Sequence, residues 1–567
     1  MRANGIAVRC HCFKSACFTI ALVCFALASN AVQASVLVSG NTSANPTANG
    51  ADPVIGIFDI GRLTINNGST MASGGVVLGQ LVAGIGLVTV TDFNSTTSET
   101  STWVTNRITV GDIGTGRLEI LNGGMVTVDF GTNPGGGDFI VGNQANSVGT
   151  VIVNGLGSLL RLGDDTILGQ NGTGVLRIEN EGYVIGTNGE LLDPDVFTVG
   201  FFGRVEFSNG RLRTDQFTNY GAIVGTGRLD SAGTIANTII GHFEVSTGQR
   251  LVVNGVVDND GAVSLRGGEI EFFKAVTNSG PAAEITLRDQ SVLRFSLPQT
   301  GFGFDSTAGV IATTASTNDI YGSVRIQTSA SKISVSGGST AVFHDPVTNT
   351  GGTIEVFAGS TIVYLQGLTT TGSGASLSVA LSDPDVGAGA GAIEVSDSAS
   401  LAGNLNVSLA TGYKPSAGDA FSILTAGGGI TGSLNLAAAP ALPGGMLWDL
   451  DVTATNVLLS VVATGDYNGN GVVDAADYVV WRKSLNQQGA GLAADSNGDG
   501  IVNTADYNFW RSRVGTVIGS GVGLGASNAI PEPTSDALLL VAGALVGIVR
   551  KRPIRPRANA DLACYTR

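Results

Sequence analysis

The sequence predicts a mainly β protein: a parallel β-solenoid (β-helix) of Gly/Asn-rich repeats, followed by a small α-helical module with two cation-binding loops and a C-terminal hydrophobic helix. Three observations predict this. Pairs of an apolar residue and glycine return roughly every 30 residues through the middle of the chain, a repeat period of the solenoid kind. Between them lie short runs of alternating apolar and polar residues, the period-two signature of a half-buried strand. Near the C-terminus, an acidic pattern of loop length occurs twice in register, and each copy is followed by Tyr and then Trp-Arg.

Taken in order, residues 1–34 read as a signal peptide. Arg2, Arg9 and Lys14 precede an apolar run from Ala16 to Ala28, and Val32-Gln33-Ala34 offers a signal-peptidase site before Ser35. Cys10, Cys12, Cys17 and Cys24 fall inside this segment and Cys564 falls in the extreme tail. The mature body then holds no cysteine, which excludes disulfide staples and cysteine-based metal sites there. Glycine is abundant (83 of 567 residues), charged residues make up only 13% and hydrophobic residues 43%, ample for a core. A formal net charge of −15 argues against nucleic acid as a partner, which would call for a basic patch.

Residues 35–462 carry the repeats. Val110-Gly111 leads to Gly116-Arg117-Leu118-Glu119-Ile120-Leu121-Asn122-Gly123, and Val141-Gly142 leads to Gly149-Thr150-Val151-Ile152-Val153-Asn154-Gly155. Leu168-Gly169 with Gly174 to Asn180, and Val199-Gly200 with Gly203 to Gly210, repeat the unit. Glycine and Asn-Gly pairs supply the positive-φ corners. Strands this short cannot bury a face alone, and stacking one coil on the next solves that. A β-sandwich is the competing architecture, but it gives no reason for the glycine period. The later half keeps the idea with another turn: Asn219-Tyr220-Gly221, Asn259-Asp260-Gly261, Asn278-Ser279-Gly280 and Asn349-Thr350-Gly351 stand beside alternating runs. The pattern from Leu401 through Phe421-Ser422-Ile423-Leu424 to Val461 resembles the C-terminal end of autotransporter-type passenger solenoids. No outer-membrane barrel follows, so self-transport is not implied.

Residues 464–515 are where spacing dictates chemistry. Asp466, Asn468, Asn470, Asp474 and Asp477 place oxygens at loop positions 1, 3, 5, 9 and 12, with Gly471 at position 6. Asp495, Asn497, Asp499, Asn503 and Asp506 repeat the set, with Gly500 at the sharp turn. Ca²⁺ takes six to eight oxygens, one from a backbone carbonyl at position 7. One such loop alone could be an acidic, solvated turn; two in register point to two Ca²⁺ ions. The segment resembles a type I dockerin, the duplicated Ca²⁺-loop-plus-helix module that docks onto a cohesin domain. The resemblance implies ligation by those side chains, with Val472 and Ile501 donating carbonyls, and a partner surface on the helix faces. Asp at position 12 agrees with the family. Ala475-Ala476 and Thr504-Ala505 depart from the hydroxyl pair that family members often use in cohesin recognition. A Ca²⁺-stapled structural module without a cohesin is the second reading.

Residues 516–529, rich in Gly and Ser, read as a linker. In 530–552, Pro531-Glu532-Pro533 precedes the apolar stretch Ala537 to Val549 and the basic cluster Arg550-Lys551-Arg552. That order favours a membrane-seated helix with a cytoplasmic end. It resembles a PEP-CTERM sorting signal, which implies recognition by an exosortase-type protease and passage to the cell surface. A basic tail, 553–567, follows.

Catalysis finds little support. A glycosidase needs two carboxylates at a set separation. The clusters Asp164-Asp165, Asp193/Asp195 and Asp383/Asp385 each sit in a turn context that favours Asp for local hydrogen bonding. His242 and His344 accompany no nucleophile motif, and no glycine loop has the phosphate-cradle form. The expected role is a non-catalytic surface protein secreted from the cell. The alternative is a dockerin-bearing component of polysaccharide catabolism, a hydrolase, lyase or carbohydrate binder.

Overall fold

The structure is a computed structural model that describes residues 35–517, apart from 44–46, 48–49, 95–97, 129–137, 187–195, 297–303 and 385–389. The segment read as a signal peptide, most of the predicted linker, the PEP-CTERM-like segment and the tail lie outside the described residues. So do Asp193, Asp195 and Asp385.

Each coil of the solenoid contributes three strands, one to each of three faces. In one coil these are Arg107–Val110, Thr115–Leu121 and Met125–Val128. Each pairs in parallel with its counterpart one coil on: Val110 with Val141, Leu118 with Val151 and Val126 with Leu160. The parallel register is continuous, Val88–Leu118–Val151–Leu176 along the second face, so one apolar column runs up the inside. Leu118, Ile120, Val151, Val153, Leu176 and Ile178 are fully buried in it. The coils then shorten: Ile223 lies beside Phe243 and Phe243 beside Val263, a much closer sequence spacing than Leu118 to Val151.

Glycine is obligatory at the corner between the first and second faces. Gly111 has φ +74°, and a Cβ there would meet the Val148 carbonyl oxygen at 2.5 Å. A Cβ on Gly116 would lie 2.2 Å from the Gly111 nitrogen across the same corner and 2.9 Å from the Leu78 carbonyl oxygen of the preceding coil, so the repeat glycines let the backbones pack directly.

In the shorter coils, Asn219, Asn237, Asn259 and Asn278 form a buried ladder. Each Nδ2 donates to the next Oδ1, at 2.8, 2.7 and 2.9 Å. Aromatic rings stack in the same core, Phe197 on Phe217 at 5.5 Å and Phe272 on Phe295 at 5.9 Å.

Both ends of the stack are closed by antiparallel pairing, which covers edges that would otherwise recruit another chain. Ser35–Gly40 runs antiparallel to Ile60–Asn66 at the start. At the far end Ala420–Ala426 and Met446–Val452 both pair antiparallel with Asn456–Ala463. Two helices follow, α1 (Ala475–Ser484) and α2 (Thr504–Arg513). No helix among the described residues is long and apolar enough to cross a membrane.

The helical module sits directly on this closed end. Thr464 N–H donates to the Gly445 carbonyl (2.7 Å), Gly491 N–H to Ser416 Oγ (3.2 Å) and Arg513 Nη1 to the Ala463 carbonyl (3.2 Å). A Cβ on Gly498, in the second loop, would strike the Ala417 carbonyl oxygen at 1.9 Å.

Candidate metal centre

The two acidic loops lead into α1 and α2 through the same local device. Asp474 caps α1 and Asn503 caps α2, each closing a capping box with the Asp three residues on. Asp477 accepts N–H bonds from Asn468 (3.0 Å) and Asp474 (2.8 Å). Asp506 accepts from Ser496 and Asn503, both at 2.7 Å. The position-12 carboxylates are therefore anchored to backbone on one side, and both are fully buried.

At position 1, Asp466 accepts N–H bonds from Asn470 (3.1 Å) and Gly471 (2.7 Å). Asp495 Oδ2 accepts from Gly500 at 2.8 Å. Asn468 and Asn470 turn their amide oxygens to the N–H groups of Asn470 and Val472, at 2.9 and 2.8 Å. In the second loop, Asp499 Oδ1 accepts from Ile501 N–H at 2.9 Å. The Asn503 Nδ2 donates both to Asp499 Oδ2 and to the Ile501 carbonyl, each at 3.2 Å, and Asn497 Nδ2 donates to Asp499 Oδ2 at 2.9 Å. Amide hydrogens thus sit among the oxygens of this loop. The position-7 residues hold their loops in antiparallel bridges, Val472 with Val517 and Ile501 with Gln488.

A cation fits the chemistry of these residues. Asp466, Asp477, Asp495 and Asp506 are all at most 5% exposed, and no basic side chain of the described residues forms an ion pair with any of them. Buried carboxylates without a counter-charge are costly. Asp495 Oδ1 is buried with no hydrogen-bond partner at all. Burial, with the nearby charges of Asp506 and Asp499 adding to it, raises the Asp495 carboxyl above the usual carboxylate range. Asp499 lies fully at the surface, where hydrogen bonds from Asn497 and Ile501 lower it. Among the described residues no three His, Cys, Asp or Glu side chains gather as a metal-holding group by themselves. The residues that would serve in each loop combine three carboxylates with amide and backbone oxygens, the kind a hard cation accepts.

The repeats interlock about a small core of Tyr467, Trp481, Ala494 and Val502, with Tyr507 and Trp510 packed against it. Tyr467, at position 2 of the first loop, hydrogen-bonds Ser496, at position 2 of the second, and donates to the Asp506 carbonyl at 2.9 Å. Burial pushes its phenol up to about 12. This contact between equivalent positions has no local signature in the sequence.

Among the described residues, the other sequence candidates do not assemble into a site. Asp164 Oδ1 accepts the Asp165 N–H and Asp165 Oδ1 the Val196 N–H, as turn carboxylates do. His344 lies just past the strand Thr340–Phe343, with Nε2 2.7 Å from Asp319 Oδ1 and its ring stacked on Tyr321 at 3.8 Å.

Residues 464–514 match the family described as Dockerin type I domain. No curated protein matches the chain. Type I dockerin domains typically bind calcium and cohesin partners and occur in extracellular proteins, and the match supports a protein–protein docking module in this segment.

Proposed function

We propose that this is a non-catalytic protein exported to the cell surface, a long β-solenoid that presents a Ca²⁺-loaded dockerin-type module to a cohesin-like partner. Two ions would be held, one by Asp466, Asn468, Asn470, Asp474, Asp477 and the Val472 carbonyl. The other would be held by Asp495, Asn497, Asp499, Asn503, Asp506 and the Ile501 carbonyl. Bound Ca²⁺ supplies the positive charge that the buried carboxylates lack; the residues themselves set the loop shape and start the helices. The orphaned Asp495 Oδ1 is the single observation that carries this reading. Export would run through the signal peptide 1–34 and sorting through the PEP-CTERM-like segment 530–552, with an exosortase-type protease acting on the tail. Isothermal titration of the full chain with Ca²⁺ tests the centre: two sites are expected, and no heat of binding removes it. Mass measurement of the mature C-terminus tests the sorting step, with an intact Arg567 counting against cleavage.

A further inference from the structure

A shallow groove of about 440 Å³ opens on the third face of the solenoid, far in sequence from the loops. It forms where the strand Gly203–Thr214 shifts register against Ala222–Asn237 between Ser208 and Gly210. Asn209 has φ +63° at this irregularity. Bulges of this kind bend a strand and re-aim its side chains. The concavity is lined by Tyr183, Asn209, Arg211, Thr226, Arg228 and Arg250, with Val252 beside them and Glu181 as its one carboxylate.

The arginines are held in fixed poses. Arg211 and Arg228 are register partners on adjacent coils, and their Nε atoms meet the same Asp230 carboxylate at 2.7 and 2.8 Å. Asn254 Nδ2 donates to that carboxylate too, at 2.9 Å. Arg250 is braced by Glu269 and Glu271, at 3.3 and 2.5 Å. A guanidinium carries five N–H donors, so pairing through Nε leaves the terminal pair of nitrogens of Arg211 and Arg228 for an oxyanion. Apolar surface lies between the charges: Arg211 stands 5.2 Å over the Tyr183 ring, and Val252 follows Arg228 in the same row.

Because rows repeat at the strand spacing of about 4.8 Å, a linear ligand along the solenoid axis meets Arg211 and then Arg228 on successive coils, with Arg250 two residues to the side of Val252 on the next. Its acid groups face guanidinium forks and its C–H surfaces face Tyr183 and Val252. A peptide cannot add here as a strand, since the strands of this face are already paired on both sides. A single nucleic-acid strand would need a row of aromatic platforms for its bases, and Tyr183 is the one aromatic side chain in this lining. We infer that this groove binds an acidic polysaccharide, carboxylated or sulfated, through Arg211, Arg228 and Arg250. The site is independent of the docking module.

The test titrates the full chain, at constant Ca²⁺, into labelled oligogalacturonate, labelled heparin oligosaccharide, a neutral malto-oligosaccharide and a short DNA strand. Binding to at least one acidic glycan is expected, and the two acidic arms separate carboxylate from sulfate. The double variant Arg211→Gln/Arg228→Gln should weaken it at least tenfold, while Arg117→Gln on the neighbouring face should not. Tyr183→Ala, which leaves every ion pair in place, should weaken it several-fold and decides the matter if the double variant fails to fold. The inference is overturned by no acidic-glycan binding, by equal affinity for the neutral sugar or DNA, or by binding that survives the groove variants.

Discussion

The indole Nε1 of Trp481, on α1, donates to the backbone carbonyl of Asn503, the residue that caps α2, at 2.8 Å. The relationship is reciprocal: Trp510 Nε1, on α2, donates to the carbonyl of Asp474, the cap of α1, at 3.0 Å. Each helix therefore fastens the loop that starts the other. The strand-like segments repeat the exchange, Val502 N–H to the Gln487 carbonyl at 3.0 Å and Val473 N–H to the Thr516 carbonyl at 2.9 Å. Two loops tied in this way should not load independently.

From this crossing we expect that Asp495→Ala will weaken Ca²⁺ at both loops. The direct effect is loss of the position-1 ligand of the second loop. The indirect effect reaches the first loop through Tyr467, which bonds Ser496 and the Asp506 carbonyl. Titration calorimetry should show one site lost and the remaining site weakened several-fold. A remaining site of unchanged affinity would show that the loops act separately.

Trp481→Phe isolates the indole bond while keeping most of the packing. Trp481 is 8% exposed, so the lost N–H leaves the Asn503 carbonyl short of a donor. The expected cost is about 1 kcal/mol, read as a lower melting temperature of the module in Ca²⁺. Its fluorescence should also report loading, since EDTA should change tryptophan emission in the native protein.

Asn259 sits in the middle of the buried ladder, accepting from Asn237 and donating to Asn278. Asn259→Ala orphans a donor on one side and an acceptor on the other. A loss of roughly 1–3 kcal/mol for each orphaned group is expected, measured by denaturant unfolding of the solenoid. Exposed Asn171→Ala, at an outer corner without a positive φ, should cost far less.

That ladder also shows what could be read in the chain and what could not. Leu118, Ile120 and their glycine neighbours announce a repeating strand because the signal lies within a few residues. The spacing of oxygen side chains from Asp466 to Asp477 is equally local. Asn219, Asn259 and Asn278 are legible as turn residues, yet their side chains face inward and bond across coils. That pairing depends on coil length, which changes along the rod. Arg211, Arg228 and Asp230 look like scattered surface charges until the register of two bulged strands brings them together. The seating of Gly498 against Ala417 joins segments with no shared pattern, so nothing in the sequence marks the module as packed on the rod.

Asp230 gives the last expectation, and its sign follows from its environment. Desolvation pushes its carboxyl up, but hydrogen bonds from Asn254, Arg211 and Arg228 prevail and hold it below the usual range. A carboxylate with a depressed folded-state pKa stabilises the fold fully above its unfolded value, near 3.9. That contribution is lost as the pH falls through the lower folded-state value. Asp230→Asn should therefore melt lower than the native chain at pH 7. The replaced interactions are hydrogen bonds to a charged group, worth about 1.5–3 kcal/mol when buried, and the exposed arginines will reduce this through solvent screening. The gap between the two proteins should narrow steadily below about pH 4. A gap that stayed constant from pH 7 to pH 3 would mean that the ionised carboxylate does not brace the two guanidinium groups.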